Sequence, residues 1–340
     1  MTTDGGSPAR TPIEVATSHD ATPTSPNQDR PVLAIVGPTA GGKTALAIAA
    51  AVRLTTLGYP AEIVNADSML VYQGMDTGTA KPTLAERAGV PHHLIDIADL
   101  TWTASVAEFQ SLARAAIADI RSRGAVPLVV GGSSLYLHAI LDDLSFPPTD
   151  PAVRARWQAE LDRLGAPALH AVLADRAPQA AAGILPGNGR RIVRALEVID
   201  LTGAYTAVLP EPRYALAGVH QFGLAVERSV MDARIAARVD AMWAAGLVEE
   251  VRALEQQGLR RGVTASRALG YRQVLAFLDG RLTQAEARQE TIDATRRFAR
   301  KQLVWLKRDT RIRWLDPADA LDAVVAAGTG PIAQDGVSVG

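Results

Sequence analysis

The chain has 340 residues, 48% of them apolar and 21% charged, with a formal net charge of −1; this is enough apolar material for one large core or two smaller ones in a globular protein. Cysteine is absent, which excludes disulfides, thiolate metal sites and a cysteine nucleophile, and fits a cytoplasmic, reducing setting. No run approaches the ~20 apolar residues of a membrane span, and no basic start with an apolar core marks a secretory signal. Taken in chain order, residues 1–30 are rich in Ser, Thr, Pro and Gly without an apolar period. They cannot offset the entropy of ordering and read as a disordered leader.

Residues 31–36, "PVLAIV", are a short β-branched run that reads as a buried strand. A helix follows from about Lys43 to Leu57, stopping at Gly58, and "AEIVNAD" is the next strand. A third, "VPLVVGG", comes after a stretch in which Val106, Phe109, Leu112, Ala113, Ala116, Ile117 and Ile120 recur at three- and four-residue steps. This alternation predicts an α/β fold, a parallel sheet flanked by helices. Past Asp142 the chain turns Pro- and Asp-rich and then helical, one helix opening with an Asp150 cap and Pro151 and closing at Gly165. Residues 143–215 therefore read as a helical insertion. From "VHQFGLAV" a last strand returns to the sheet, so the core comprises 31–142 and 216–325; periodicity fades after about 327, and 326–340 read as a flexible tail.

The near-neutral charge conceals an uneven distribution. Between Arg288 and Arg313 there are nine Lys or Arg against three Asp or Glu, and the whole chain has only four lysines. Its cationic surface is thus mostly arginine, whose planar fork suits phosphate and stacks on bases.

Gly37-Pro38-Thr39-Ala40-Gly41-Gly42-Lys43-Thr44 fits G-x-x-x-x-G-K-[ST] between a strand and a helix, the context that phosphate loop requires. Its glycines let backbone N–H groups turn inward, the helix N-terminus adds partial positive charge, and Lys43 supplies a full one. Thr44 is the residue that would bind Mg²⁺. An ATPase or GTPase also needs a carboxylate at the end of an apolar strand, yet the third strand ends "VVGGSS". Asp67 or Asp96 could stand in. The diphosphate could equally be a leaving group, held while something other than a phosphoryl group moves.

The block "NADSMLVYQGMDTGTAKPT" supplies Asp67-Ser68, Tyr72, Met75-Asp76 and Gly78-Thr79-Ala80-Lys81-Pro82. With the phosphate loop, "PHHLIDI", "VGGSSLYL", "RRIVRALEV", "LGYRQ" and "TRRFARKQLVWLKR", it closely resembles the tRNA dimethylallyltransferase family over about residues 35–310. The resemblance implies a P-loop NTPase-like sheet with an inserted helical domain that contacts tRNA. It implies transfer of the dimethylallyl group of dimethylallyl diphosphate to N6 of the adenosine just 3′ of the anticodon, in tRNAs reading codons that begin with U. The expected partners are that donor and the tRNA anticodon stem-loop, with Mg²⁺ as cofactor and the protein acting as a monomer.

Roles follow the same resemblance. Asp67 would accept the amine proton. Thr39, Lys43 and the loop backbone (Gly37, Pro38, Ala40, Gly41, Gly42, Thr44) would hold the diphosphate, joined by Arg238. The implied tRNA contacts are Asp67, Ser68, Met69, Leu70, Ser133, Arg154, Arg190, Arg191, Arg194, Arg267, Tyr271 and Arg272. In "RRIVRALEV" both a core face of Ile192, Ala195, Leu196 and Ile199 and an RNA-facing set of arginines can hold at once. His92 and His93 read as structural, since no third ligand stands at helical spacing. The chain departs from the family pattern at Gly41 and Ser133, where serine and threonine are usual, and at Met69-Leu70, where a polar pair is common. A small-molecule or nucleotide kinase would share the loop and sheet; the arginine-dense C-terminal half argues against it.

Overall fold

A computed structural model describes residues 30–103, 105–206 and 211–330. In chain order the strands are β1 (Val32–Val36), β2 (Ala61–Asn65), β3 (His92–His93), β4 (Val126–Gly131), β5 (Val219–Leu224) and β6 (Ile312–Leu315). They form one sheet in the order β3-β2-β4-β1-β5-β6, every pairing parallel. All residues of β1, β2 and β4 are buried. Helices cover both faces of the sheet, which is why these strands read as unbroken apolar runs.

Among the described residues the helices are α1 (Lys43–Thr56), α2 (Val106–Ser122), α3 (Ser134–Leu141), α4 (Pro151–Leu164), α5 (Ala166–Arg176), α6 (Pro178–Ala182), α7 (Gly189–Thr202), α8 (Arg228–Ala244), α9 (Leu247–Gln256), α10 (Tyr271–Leu278), α11 (Gln284–Leu306) and α12 (Ala320–Thr329). Leu54 of α1 and Val324 of α12 share one apolar cluster with Leu33, Ile35 and Leu128 of the sheet. A second cluster joins Val32, Val36 and Val129 to Phe109, Ile117, Ile140, Val251 and Val274. From β1 the chain goes to one side for β2 and later to the other for β5, so the crevice above the carboxyl end of β1 is a topological switch point. The glycine-rich loop fills it.

Helices α4 to α7 bury Leu169, Leu173, Ile192 and Leu196 against one another, with Trp157 and Leu161 packed on them. The α4 N-terminus is capped by Asp150, whose side chain accepts from Ala152 N and Val153 N; Pro151 stands in the first turn and Gly165 at the end. Glu197, fully buried, ties Thr149 and Asp150 to this unit: it accepts from the Thr149 hydroxyl at 2.7 Å, Asp150 N at 3.0 Å, Arg154 Nε at 3.0 Å and Arg194 Nη1 at 2.9 Å. Burial pushes its pKa up, but these donors outweigh it and hold the carboxyl at about 2.

Three sequence expectations need correction. The Val219 run is not the last strand, because β6 follows it and closes the edge; at four residues, with Arg313 exposed, it lacks a clear apolar period. The two-residue β3 is too short to announce itself. The tail does not begin at 326, because α12 runs on to Thr329 and buries Val324, Val325 and Gly328. Residues 1–29 of the expected leader and residues 331–340 lie outside the described residues. Among those described, no helix is long and apolar enough to cross a membrane.

Candidate active site

β1 delivers the chain into the loop at Gly37. Ala40 (φ 61°) and Gly42 (φ 91°) take left-handed backbone, and Gly42 precedes α1 with no side-chain cap, leaving the helix N-terminus open to an anion. Gly41, where the family usually has serine, closes the turn by donating its N–H to Pro38 O at 3.2 Å. Lys43 Nζ folds back to donate to the same carbonyl at 2.8 Å. Burial lowers the Lys43 pKa from 10.5 to about 8; Asp67 nearby raises it and Arg238 lowers it further. The ammonium is thus held without a full counter-charge, poised for an anionic ligand.

The end of β4 comes very close to this loop. A Cβ on Gly132 would meet Gly37 O at 2.6 Å, and one on Gly131 would meet Ala66 O at 2.5 Å, which is why the strand ends in two glycines instead of an acid. Gln302 of α11 stitches the approach: its Oε1 accepts from Thr39 N at 2.9 Å and its Nε2 donates to Gly132 O at 2.9 Å.

Asp67 follows β2. Asn65 shapes the turn, its Oδ1 accepting from Asp67 N at 2.8 Å and its Nδ2 donating to Asp67 O and Leu94 O. Asp67 Oδ1 accepts from Met69 N at 2.9 Å; no described residue donates to Oδ2. Asp96, the other candidate carboxylate, is committed to Lys81, which also pairs with Asp76 and donates to Tyr72 O. His92 meets Val90 O, with Nε2 unpartnered among the described residues, and His93 meets Glu62; the described residues hold no cluster of three His, Cys, Asp or Glu fit for a metal.

Two chambers meet at this point. One, of about 1010 Å³, contains the loop residues Thr39, Ala40, Gly42, Lys43 and Thr44 and runs along α1. The other, of about 650 Å³, is lined by Ser68, Met69, Ser133, Arg267, Arg272, Arg297, Phe298 and Lys301. Thr39, Asp67, Thr79, Arg238 and Gln302 border both. Arg238 has no carboxylate partner among the described residues, and its enclosure lowers its pKa. Arg267, Arg297 and Lys301 likewise have no ion-pair partner there, and Arg272 stands 3.6 Å from Glu290. The second chamber is therefore walled by cations, of which Arg238, Arg267, Arg297 and Lys301 have no ion-pair partner among the described residues. Ser133 precedes α3 without a side-chain cap bond, so its hydroxyl is uncommitted.

The remaining residues expected at the RNA surface fall elsewhere. Leu70 lines the first chamber. Arg190 and Arg191 are exposed at the start of α7 and border neither chamber. Arg154 and Arg194 are bound to Glu197, and Arg194 also donates to Pro147 O and Pro148 O. Tyr271 requires correction as a direct tRNA contact: it is fully buried, its hydroxyl donates to Glu250 at 2.6 Å, and its ring covers Gly78, where a Cβ would meet it at 2.5 Å. Glu250 also accepts from Thr77 N at 2.7 Å and Gly78 N at 3.2 Å, so this pair fixes the loop that presents Thr79.

Sequence reasoning missed Thr79, Glu250, Gln302, Arg297, Phe298 and Lys301 as individuals. For the last three a signal exists: Ala294, Arg297, Phe298 and Lys301 recur at helical steps and form one face of α11.

The family model for IPP transferase matches residues 70–309. A tRNA dimethylallyltransferase of Thermobifida fusca is 60% identical over 296 residues, 86% of this chain and 92% of that one. One of Kineococcus radiotolerans is 61% identical over 294 residues, with the same shares covered. Among solved structures, the full-length tRNA isopentenylpyrophosphate transferase of Bacillus halodurans is 38% identical with a TM-score of 0.62, covering 87% of this chain and 94% of that one. A eukaryotic dimethylallyltransferase described as acting on tRNA is 25% identical with a TM-score of 0.72, covering 84% and 74%. With its phosphate loop at the switch point, its glycine-ended β4 and these likenesses over most of its length, the chain belongs to the IPP transferase family, that of the tRNA dimethylallyltransferases.

Proposed function

We propose that this protein transfers the dimethylallyl group of dimethylallyl diphosphate to N6 of the adenosine 3′ of the anticodon in tRNA. One observation carries the reading: Asp67, with one free carboxylate oxygen, stands where an anion-binding chamber opens into a cation-walled one. A diphosphate enters from the first, an RNA from the second. The exocyclic amine of adenine is a weak nucleophile because its lone pair is delocalised into the ring, so it needs a proton acceptor beside it. Asp67 Oδ2 takes that proton as N6 bonds to C1 of the donor. The C1–O bond breaks with its electron pair leaving on the diphosphate, where Lys43, Arg238 and the loop amides meet the growing charge.

The adenosine must leave its stack to reach Asp67. Ser133, Arg267, Arg272, Arg297 and Lys301 hold the surrounding RNA, and exposed Phe298 offers a ring for a displaced base. Arg154 and Arg194 act one step back, fixing through Glu197 the unit that carries Arg190 and Arg191 to the stem-loop.

Thr44, exposed in the first turn of α1 and lining the loop chamber, is the donor through which Mg²⁺ would be held. A single hydroxyl, with no carboxylate cluster among the described residues, suits an ion that would keep its waters and be held mainly by substrate phosphates. When bound, the ion offsets diphosphate charge. The protein acts as a monomer in this reading, and the cytoplasm is where its tRNA would be met.

The test is incubation of unmodified tRNA with labelled dimethylallyl diphosphate, and in parallel with γ-labelled ATP. Label in tRNA from the first alone supports the proposal. Transfer of the γ-phosphate without prenylation establishes a kinase instead.

A further inference from the structure

Helix α1 has no charged residue between Lys43 and Arg53. Ala47, Ala50, Ala51 and Leu54 bury one side. The opposite side, where a surface helix ordinarily carries charge, presents exposed Ala45, Ala49 and Val52 with half-buried Ile48. These four recur at steps of three and four, so they form a single stripe, and that stripe lines the loop chamber. Leu70, Pro82, Ala88 and Ile95 add to its apolar lining, while Asn65, Glu86 and His92 also border it.

The chamber is one space reaching from Thr39, Lys43 and Asp67 to Thr56, the last residue of α1, along roughly 20 Å of helix. Its volume, about 1010 Å³, stands at the upper end of the ~300–1,000 Å³ of sites that enclose drug-sized ligands. A five-carbon chain on a diphosphate fills only the end beside the loop. A ribose or purine would find no charged partner on α1 before Arg53.

We infer that this groove takes the tail of allylic diphosphates longer than dimethylallyl, so that the protein also prenylates its RNA from a ten-carbon donor. The inference rests on the transferase reading above, and the bond changes are the same: N6–C1 forms, C1–O breaks with its electrons leaving on diphosphate, and the amine proton passes to Asp67. Only the chain beyond the allylic carbons differs, lying along Ile48, Ala49 and Val52.

The full-length protein is given unmodified tRNA with dimethylallyl, geranyl or farnesyl diphosphate, and the modified adenosine is identified by mass after nuclease digestion. Geranyl transfer is expected within about tenfold of dimethylallyl transfer in kcat/KM, since the bond changes at C1 are the same and the added carbons lie on an apolar wall. Ala49→Trp should reduce geranyl transfer at least tenfold and leave dimethylallyl transfer within twofold. Val52→Glu, farther from the loop, should do the same by placing a charge in the groove. Dimethylallyl transfer without geranyl transfer overturns the inference and leaves the transferase reading intact. Geranyl transfer untouched by both variants, or both donors lost in equal measure, also overturns it. No transfer from any donor refutes the transferase reading itself.

Discussion

Replacing Lys43 by methionine separates what the loop lysine does for the ligand from what it does to the fold. Its pKa falls from 10.5 to about 8 on folding, which corresponds to about 3 kcal/mol of penalty for holding the ammonium in the unliganded protein. Its charged hydrogen bond to Pro38 O returns about 1.5 kcal/mol. Lys43→Met should therefore raise the stability of the unliganded protein at pH 7 by about 1 to 2 kcal/mol while abolishing use of the allylic donor. The sign with pH is fixed by the same shift. Below about pH 8 both folded and unfolded states carry the proton and the penalty is in full force. Between about 8 and 10.5 the folded state has shed it while the unfolded chain still binds it, so wild-type stability rises with pH across that window. The variant should lack the rise. Denaturant melts at pH 7 and pH 10, with and without inorganic diphosphate, make the measurement; diphosphate should stabilise the wild type and leave the variant unmoved. A variant no more stable than wild type at pH 7, with the same pH response, would refute the reasoning.

Other perturbations reach other parts of the site. Asp67→Asn keeps an acceptor for Met69 N but removes the proton acceptor, so turnover should fall by ~10²–10⁴-fold with tRNA affinity unchanged within a few-fold; near-normal single-turnover rates would remove Asp67 from the chemistry. Gln302→Leu leaves Thr39 N and Gly132 O without partners, which should cost about 2–4 kcal/mol in a denaturant melt and raise KM for the donor more than for tRNA. The double change Arg297→Ala with Lys301→Ala should weaken tRNA binding and flatten its salt dependence by about two in the log–log slope. An unchanged slope would place the RNA phosphates elsewhere.

The fold was legible where periodicity is strong and both faces of a strand are covered. β1, β2 and β4 are buried on both sides, so their apolar runs stand out; β3 and β6 are edge strands held by few pairs, and their sequences carry little signal. The phosphate loop was readable because its spacing and flanks dictate its geometry. Tyr271 shows the limit. An aromatic in an arginine-rich stretch has the composition of an RNA contact, yet its burial depends on Glu250 and Gly78, far away in the sequence. Arg154 and Arg194 meet the same limit, since Glu197 lies behind them and side-chain type cannot reveal that partner.

Lys301 and Gln302 are consecutive on α11, and their side chains leave the helix axis roughly 100° apart. One lines the second chamber; the other clasps the glycine-rich turn through Thr39 N. A rigid rod of 23 residues thus carries acceptor and donor on neighbouring positions. On the proposed reading, a tilt that docked RNA imposed on this helix would reach the phosphate cradle without an intermediary, coupling the two substrates through a single turn of backbone.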